Sequence, residues 1–233
     1  MKTSNTWLAV ALAFAIALPA AAQRGRSVHE NGLRLFGGVY EPEGDSEYWE
    51  GIEEDFTTDS SEYRDFVGGI EYVRELSGNL RLMIGATAFE STDLQAYRDF
   101  EDADGDDILH DTTLSITSAT IGLAVNLAPR HAPVVPYVGV GAGLYSWDLE
   151  ERGDFIDFSG SRPEIFSDTF VEDGVETGWY WMAGLEVPVS SSFSIFAQGR
   201  WHEAKADLED DFEDLGELDL GGRELTAGFT WRF

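Results

Sequence analysis

Three aspartates at alternate positions are the first residues whose spacing could bind a ligand. Asp102, Asp104 and Asp106 stand in the segment DADGDD, and carboxylates at alternate positions open a calcium-binding loop. The rest of that loop is missing, because Asp107 occupies the position that needs glycine and Thr113 the position that needs a bidentate glutamate. The sequence therefore predicts no EF-hand, and it leaves two alternatives: a weaker Ca²⁺ or Mg²⁺ site, or a solvated acidic run.

A histidine and a glutamate near the C-terminus could form an acid–base pair. His202 and Glu224 stand near the facing ends of the last two strands predicted below, where the carboxylate could orient the imidazole for proton transfer. Hydrolysis would also need a nucleophile, and the residues that follow the histidine are Glu203 and Ala204. We therefore expect a polar contact at the rim of the fold, no catalytic residue and no cofactor.

The composition excludes several classes of protein. The chain carries 44 acidic and 15 basic residues, a formal net charge of −29, so it would repel the phosphates of a nucleic acid. It contains no cysteine, which excludes a disulfide scaffold, a thiolate metal site and a lipoprotein anchor.

The first residues predict export. Lys2 precedes an apolar run from Leu8 to Ala22 that closes with three alanines, the layout of a cleavable signal peptide. We predict a signal peptide over 1–22, a short periplasmic segment over 23–32 and one barrel domain over 33–233. No later apolar run reaches the roughly 18 residues of a spanning helix, so a membrane would be crossed by strands.

Alternating polarity predicts strands in the mature chain. The eight predicted strands are 33–40, 64–76, 80–89, 114–127, 134–147, 177–189, 193–202 and 223–233. Three connections are short and rich in turn residues, whereas the other four, roughly 41–63, 90–113, 148–176 and 203–222, are long and hold most of the acidic residues. This arrangement predicts an all-β fold, an eight-stranded antiparallel up-and-down transmembrane β-barrel.

The two faces of the last strand differ in polarity. Phe229, Trp231 and Phe233 share one face, while Glu224 and Arg232 share the other. The aromatic face is predicted to meet lipid, since a charge there costs about 2–4 kcal/mol at the bilayer midplane. A soluble, lipocalin-like barrel is the alternative with eight strands and a signal peptide, and a strand that is apolar outside and polar inside argues against it.

The same alternation turns charged residues toward the barrel interior, where they need partners. We predict a network that closes the lumen, formed by Arg34, Glu71, Arg81, Glu186, Arg200, Glu224 and Arg232. The alternative is that some of these residues lie in water at the turns. Leu114 and Ile116 fall out of phase with the rest of their strand, which predicts a bulge or a later strand start.

Aromatic residues are predicted to form belts at the two membrane interfaces. Trp179, Trp181 and Trp201 would lie at the loop end, and Tyr72, Phe193 and Phe233 at the turn end.

Two segments, PYVGVGAGLYSWDL at 136–149 and LTAGFTWRF at 225–233, resemble the small outer-membrane barrels of the OmpA, OmpX and OmpW type. The resemblance implies the outer membrane of a Gram-negative bacterium, lipid and lipopolysaccharide as neighbours, and a monomer. It also implies that Phe229, Trp231 and Phe233 are the signal read by the outer-membrane assembly machinery.

Three functions fit such a barrel. The first is a non-enzymatic role in envelope structure or surface interaction, with a largely plugged lumen and with divalent cations as possible partners of the acidic loops. The second is a low-conductance porin or carrier for cations or apolar molecules, as OmpW-type relatives suggest. The third is a lipid A-modifying hydrolase, but the related deacylases use His-x-Ser where this chain has His202, Glu203 and Ala204.

Overall fold

The computed structural model describes residues 30–160, 162–209, 212 and 215–233. The predicted signal peptide and most of the predicted periplasmic segment lie outside the described residues. Within the described ranges, no helix is long and apolar enough to cross a bilayer.

In the part of the chain that the structure describes, ten strands form two sheets, a closed barrel and a small hairpin. The barrel strands are β1 (Asn31–Pro42), β2 (Asp65–Glu75), β3 (Leu80–Glu101), β4 (Asp107–Asn126), β5 (Val135–Asp157), β6 (Glu164–Pro188), β7 (Phe193–Glu203) and β10 (Gly222–Arg232), and the hairpin is β8 (Lys205–Asp207) with β9 (Glu217–Asp219). Each barrel strand pairs in antiparallel fashion with its neighbour along the chain, and β1 closes the ring against β10. The predicted eight-stranded antiparallel barrel is confirmed.

The predicted loops 90–113 and 148–176 are mostly strand. β3 to β6 contain 20 to 25 residues each, against 11 or 12 in the other barrel strands. Since about 9–11 tilted residues cross a bilayer, the four longer strands continue well beyond it as two hairpins in one sheet. In these hairpins the alternation of buried and exposed side chains continues along β4, whereas residues 164–169 of β6 are exposed on both faces.

Leu114 and Ile116 show why that extension was not predicted. Burial alternates without interruption along β4, and both side chains face inward, 0% and 6% exposed. The predicted bulge or later strand start is therefore wrong. The two residues did not fit the predicted pattern, in which polar side chains face the interior, because the interior is itself apolar at their position along the barrel axis.

The predicted loop 41–63 folds back over the barrel. It contains helix α1 (Glu47–Asp55) and a 3₁₀ turn at Ser60–Tyr63. Glu47 and Glu50 stand in the first turn of α1, where acidic side chains complement the helix dipole. The opposite face of the helix is almost wholly buried, so α1 is held by packing rather than by its own propensity.

An apolar cluster fills the space between α1, the β8–β9 hairpin and the inner face of the long strands. We call it the apolar cap; it comprises Tyr40, Tyr48, Trp49, Ile52, Tyr63, Val67, Phe89, Leu114, Ile116, Tyr145, Trp147, Leu149, Ala204, Ala206, Leu208, Phe212, Leu218 and Leu220. Ser46 connects α1 to the hairpin, because its hydroxyl accepts a hydrogen bond from the Asp219 amide at 3.2 Å. The loop end of the molecule is therefore a packed layer.

Candidate functional site

The interior next to the short turns contains a layer of ion pairs centred on Glu186 of β6. Arg34 lies 3.0 Å and Arg81 2.7 Å from the Glu186 carboxylate, and Arg232 forms a third ion pair with it. These donors come from β1, β3 and β10, so one carboxylate joins strands on opposite sides of the ring. Glu186 and Arg34 are essentially inaccessible to solvent.

Glu71 of β2 is the second acceptor in this layer. It pairs with Arg34 at 3.2 Å and also with Arg200 of β7. Because Arg34 pairs with both glutamates, the two groups of ion pairs form one network. We call the six residues Arg34, Glu71, Arg81, Glu186, Arg200 and Arg232 the charged layer. All six were predicted to point inward, and the structure brings them together.

Tyr137 and Gln198 belong to the same layer but were not part of the predicted network. The Tyr137 hydroxyl lies 3.4 Å from Arg34 and 2.9 Å from the Gln198 side chain. The guanidinium groups of Arg34 and Arg81 lie 5.1 Å and 5.0 Å from the centre of the Tyr137 ring, within cation–π range. Inward alternation on β5 could have identified Tyr137, but its partners depend on the register between distant strands.

Inward glycines make room for the interior tyrosines. A Cβ on Gly184 would lie 2.4 Å from the ring of Tyr137, and one on Gly141 would lie 2.5 Å from the ring of Tyr180. The glycine-alternating segment at 136–149 therefore turns its glycines inward and fills the space with aromatic rings supplied partly by the next strand.

The structure also brings His202 and Glu224 together, as predicted. The imidazole Nε2 lies 3.3 Å from the Glu224 carboxylate, and Nδ1 lies 3.0 Å from the Tyr145 hydroxyl. All three side chains are buried, and the cavity beside them has a volume of about 10 Å³, close to the smallest space that holds one water. Glu224 thus lies inside the barrel as predicted, but it contacts His202 rather than pairing with one of the arginines of the predicted network.

The apolar cap contains a buried carboxylate. Glu151 of β5 is 7% exposed and accepts a hydrogen bond from the Tyr48 hydroxyl of α1 at 2.9 Å. Burial raises the pKa of Glu151 to about 7, although the hydrogen bond from Tyr48 acts in the opposite direction. Burial lowers the pKa of the nearby His110 to about 4. Both groups lie beyond the membrane-spanning part of the strands and favour their neutral forms.

The predicted belt residues lie on the outer face of the barrel. Trp181 and Trp201 are opposite each other on β6 and β7, and their rings stack with centroids 3.8 Å apart. Trp179 is exposed on the same strand as Trp181, two residues further from the short turns. This group lies at the end of the membrane-spanning segments that is nearer the apolar cap.

A second aromatic group surrounds Leu33 near the turns. Tyr72 and Trp231 flank Leu33 on the two neighbouring strands, and Phe193 lies opposite Trp231. Phe233 contacts the Trp231 ring at a centroid distance of 5.4 Å and donates its backbone N–H to the Asn31 carbonyl. Phe229, Trp231 and Phe233, the predicted assembly signal, are all 42–48% exposed on the outer face.

The aspartates of the DADGDD segment form a turn at the end of the β3–β4 hairpin. One carboxylate oxygen of Asp102 accepts hydrogen bonds from the backbone amides of Asp104 and Asp106, at 2.8 and 2.9 Å. These bonds hold the pKa of Asp102 below its usual value. No group of three potential metal ligands is found in the part of the chain that the structure describes, so the geometry here is that of a turn.

Comparison with known proteins identifies the family. The model of the outer membrane protein beta-barrel domain matches residues 8–233. OprG of Pseudomonas aeruginosa is similar in structure, with a TM-score of 0.55 and 11% sequence identity. The alignment covers 90% of this chain and 98% of the OprG chain. Neisserial surface protein A is also similar, with a TM-score of 0.52 and 13% sequence identity. The alignment covers 90% of this chain and 100% of that protein's chain. At these identities the likeness shows the fold alone.

No curated protein sequence matches the chain. The family match covers the whole barrel and confirms the resemblance to small outer-membrane barrels. The chain belongs to the outer membrane protein beta-barrel domain family.

Proposed function

We propose that this protein is a non-enzymatic outer-membrane barrel with a closed lumen, which presents its long hairpins at the cell surface for interaction. The observation that supports this proposal is that side chains fill the barrel interior at two levels along the barrel axis. The charged layer fills the interior near the short turns, and the apolar cap fills it at the other end. An eight-stranded barrel is only just wide enough for its own side chains.

The two closures differ in chemistry, which disfavours passage of any one class of solute. An ion would have to displace buried arginine–glutamate pairs, whereas an apolar molecule that passed the cap would meet those charges. The cavity at the turn end, lined by Arg34, Arg81, Arg130 and Arg232 among others, has a volume of about 10 Å³. These features support the closed barrel over the porin or carrier alternative.

The lipid A hydrolase alternative lacks two requirements. His202 contacts Glu224 and Tyr145, none of which is a serine or cysteine nucleophile. All three side chains are buried inside the barrel, so a lipid substrate could not approach them. The proposal therefore gives this cluster a packing role.

The same proposal includes the remaining expectations from the sequence. The protein would be exported with cleavage after Ala22, be inserted by the outer-membrane assembly machinery, and remain a monomer among lipid and lipopolysaccharide. Its acidic surface would attract divalent cations without a defined coordination site.

Planar-bilayer recording tests the closed lumen. Purified protein, with folding checked by heat-dependent migration in gels, is expected to give no stable conductance steps. A variant in which 44–62 is replaced by a short Gly-Ser linker loses α1 but keeps the charged layer, and it is also expected to stay closed. Stable cation-selective steps from the unmodified protein would refute the proposal and favour the porin alternative.

A further inference from the structure

The outer face of the barrel contains an apolar groove that crosses β1, β10, β7, β6 and β5. It has a volume of about 790 Å³, and its lining is almost wholly apolar. Gly37 pairs with Ala227, and Ala227 pairs with Ala197, so three small residues lie side by side on the outer face and leave space above the sheet. Leu225 and Leu185 line the groove beside them.

Two aromatic rings bound the groove on the side nearer the loop end. A Cβ on Gly37 would lie 3.0 Å from the ring of Phe66, and one on Gly199 would lie 2.9 Å from the ring of Trp201. Trp201 also belongs to the tryptophan stack that we assign to the belt at the loop end. The groove therefore begins below this belt, in the part of the outer face that meets hydrocarbon.

The groove descends toward the short turns as it crosses the strands. Gly37 comes six residues after the first residue of β1, Ala197 four residues after that of β7, and Pro136 only one residue after that of β5. The path from β1 to β5 crosses four strand spacings, about 19 Å in all. Because the strands tilt by about 35–45°, it rises roughly 12 Å, most of the ~15 Å that one leaflet contributes to the hydrocarbon core.

The lower end of the groove meets two turns that suit a phosphate group. Leu127 and Pro136 line the groove on either side of the turn 128–134, and the turn 189–192 joins β6 to β7 beside it. These turns contain Arg130, His131 and three serines but no acidic residue, in a chain of net charge −29. Arg130 also pairs with Glu75 at 3.4 Å, so His131 and the serine hydroxyls are the further donors for an anion.

We propose that this groove binds one glycerophospholipid of the periplasmic leaflet, with an acyl chain lying along Ala197 and Ala227 and the phosphate at the two turns. The second acyl chain remains among the surrounding lipids. The site is on the outer surface of the barrel, so it does not depend on whether the lumen is closed.

Shape and orientation favour this occupant over two others. A symmetric dimer places the same patch of both subunits in contact, and two grooves face to face would leave a void where dispersion contacts are lost. A flexible hydrocarbon chain fills such a space. The short turns of outer-membrane barrels face the periplasm, so a lipid of the outer leaflet would have its headgroup at the opposite end of the barrel.

Filling the groove tests the position of the acyl chain. Ala197→Phe places a large side chain on its floor, whereas Ala119→Phe makes the same change at an exposed outward position of β4, outside the groove. Both proteins, with folding checked by heat-dependent migration in gels, are stripped of lipid in detergent and titrated with palmitoyl-oleoyl phosphatidylglycerol in native mass spectrometry. The unmodified protein is expected to bind one lipid with high affinity. Ala197→Phe should weaken this binding at least tenfold, and Ala119→Phe less than twofold.

A second matched pair tests the position of the phosphate. Ser191 and Ser77 are exposed serines in short turns at the same end of the barrel. Ser191→Asp places a negative charge beside the predicted phosphate and should weaken binding at least fivefold, whereas Ser77→Asp makes the same change of charge below β2 and β3 and should have less than a twofold effect.

Three results would overturn the inference. Equal binding by Ala197→Phe and Ala119→Phe would show that lipid coats the barrel without a defined site. Equal effects of Ser191→Asp and Ser77→Asp would reduce the contribution of the turns to general charge. Dimers of the unmodified protein that disappear in Ala197→Phe would assign the groove to a second copy of the chain.

Discussion

Replacing Glu186 by glutamine tests how much stability the charged layer provides. Glu186 is 1% exposed and accepts ion pairs from Arg34, Arg81 and Arg232. The substitution preserves the size of the side chain and leaves an amide oxygen as acceptor, but it removes the negative charge. Arg34 and Arg81 would remain buried with one compensating carboxylate fewer.

The expected loss follows from the burial of these partners. Removing one member of a buried ion pair costs about 3–5 kcal/mol, mostly because the remaining charge lacks a counter-charge. Because glutamine still accepts a hydrogen bond, we expect the lower end, about 3 kcal/mol. Glu90→Gln is the matched control, since Glu90 is exposed on the outer face of β3, where such a change usually alters stability by less than about 0.5 kcal/mol.

Urea unfolding in lipid vesicles, followed by tryptophan fluorescence, measures the difference. With the slope of the unfolding free energy unchanged, the Glu186→Gln midpoint should fall well below that of Glu90→Gln. Glu71→Gln should behave like Glu186→Gln, because Glu71 pairs with two buried arginines. If all three variants unfold at the same urea concentration, the charged layer fills space without stabilising the barrel, and the electrostatic argument is wrong.

Two further predictions concern the cap and assembly. Burial raises the pKa of Glu151 from 4.5 to about 7, so the packed cap holds this proton more tightly than the unfolded chain does. The contribution of Glu151 to the stability of the cap should therefore be lost as the pH rises from about 4.5 through 7, by about 3 kcal/mol in total. Because burial lowers the pKa of His110 to about 4, this residue contributes a slope of the opposite sign over much of the same pH range, in the protein and in Glu151→Gln alike. Hydrogen exchange of the α1 amides is therefore compared between the two: the protection of the unmodified protein relative to Glu151→Gln should fall as the pH rises through this range, and a ratio that does not change with pH would show that Glu151 is not responsible. Phe233→Asp should lower the rate and yield of insertion into outer-membrane vesicles that contain the assembly machinery, whereas Glu209→Gln should not; equal yields would exclude Phe233 as an assembly signal.

The membrane-spanning part could be predicted because lipid imposes a strict rule on side chains. Phe229 and Trp231 on one face of β10, with Glu224 and Arg232 on the other, leave one orientation that keeps charges out of the hydrocarbon. The inward positions of Arg34, Glu71 and Glu186 follow from the same rule. Their pairings do not, because they depend on the register between strands that are far apart in sequence.

The loop end was predicted less well because the rule changes beyond the membrane. The outer face of the long strands is solvated there and the inner face is apolar, so Leu114 and Ile116 no longer mark the lipid side. The acidic composition of 41–63 and 203–222 concealed the few large apolar residues that form the cap, such as Trp49 and Leu218. Composition averaged over a loop does not reveal one buried helix face.

The unequal strand lengths give the loop end of the molecule two different sides. The four long strands stand together on one side of the ring, and the four short ones, β7, β10, β1 and β2, are adjacent on the other. The long strands extend beyond the short ones on one side of the ring. α1 and the β8–β9 hairpin can therefore be approached from above the short strands, whereas the long strands screen them on the other side. A large molecule directed at α1 would therefore approach the helix from above the short strands, and a neighbouring membrane protein could lie against the outer face of the long strands without covering α1.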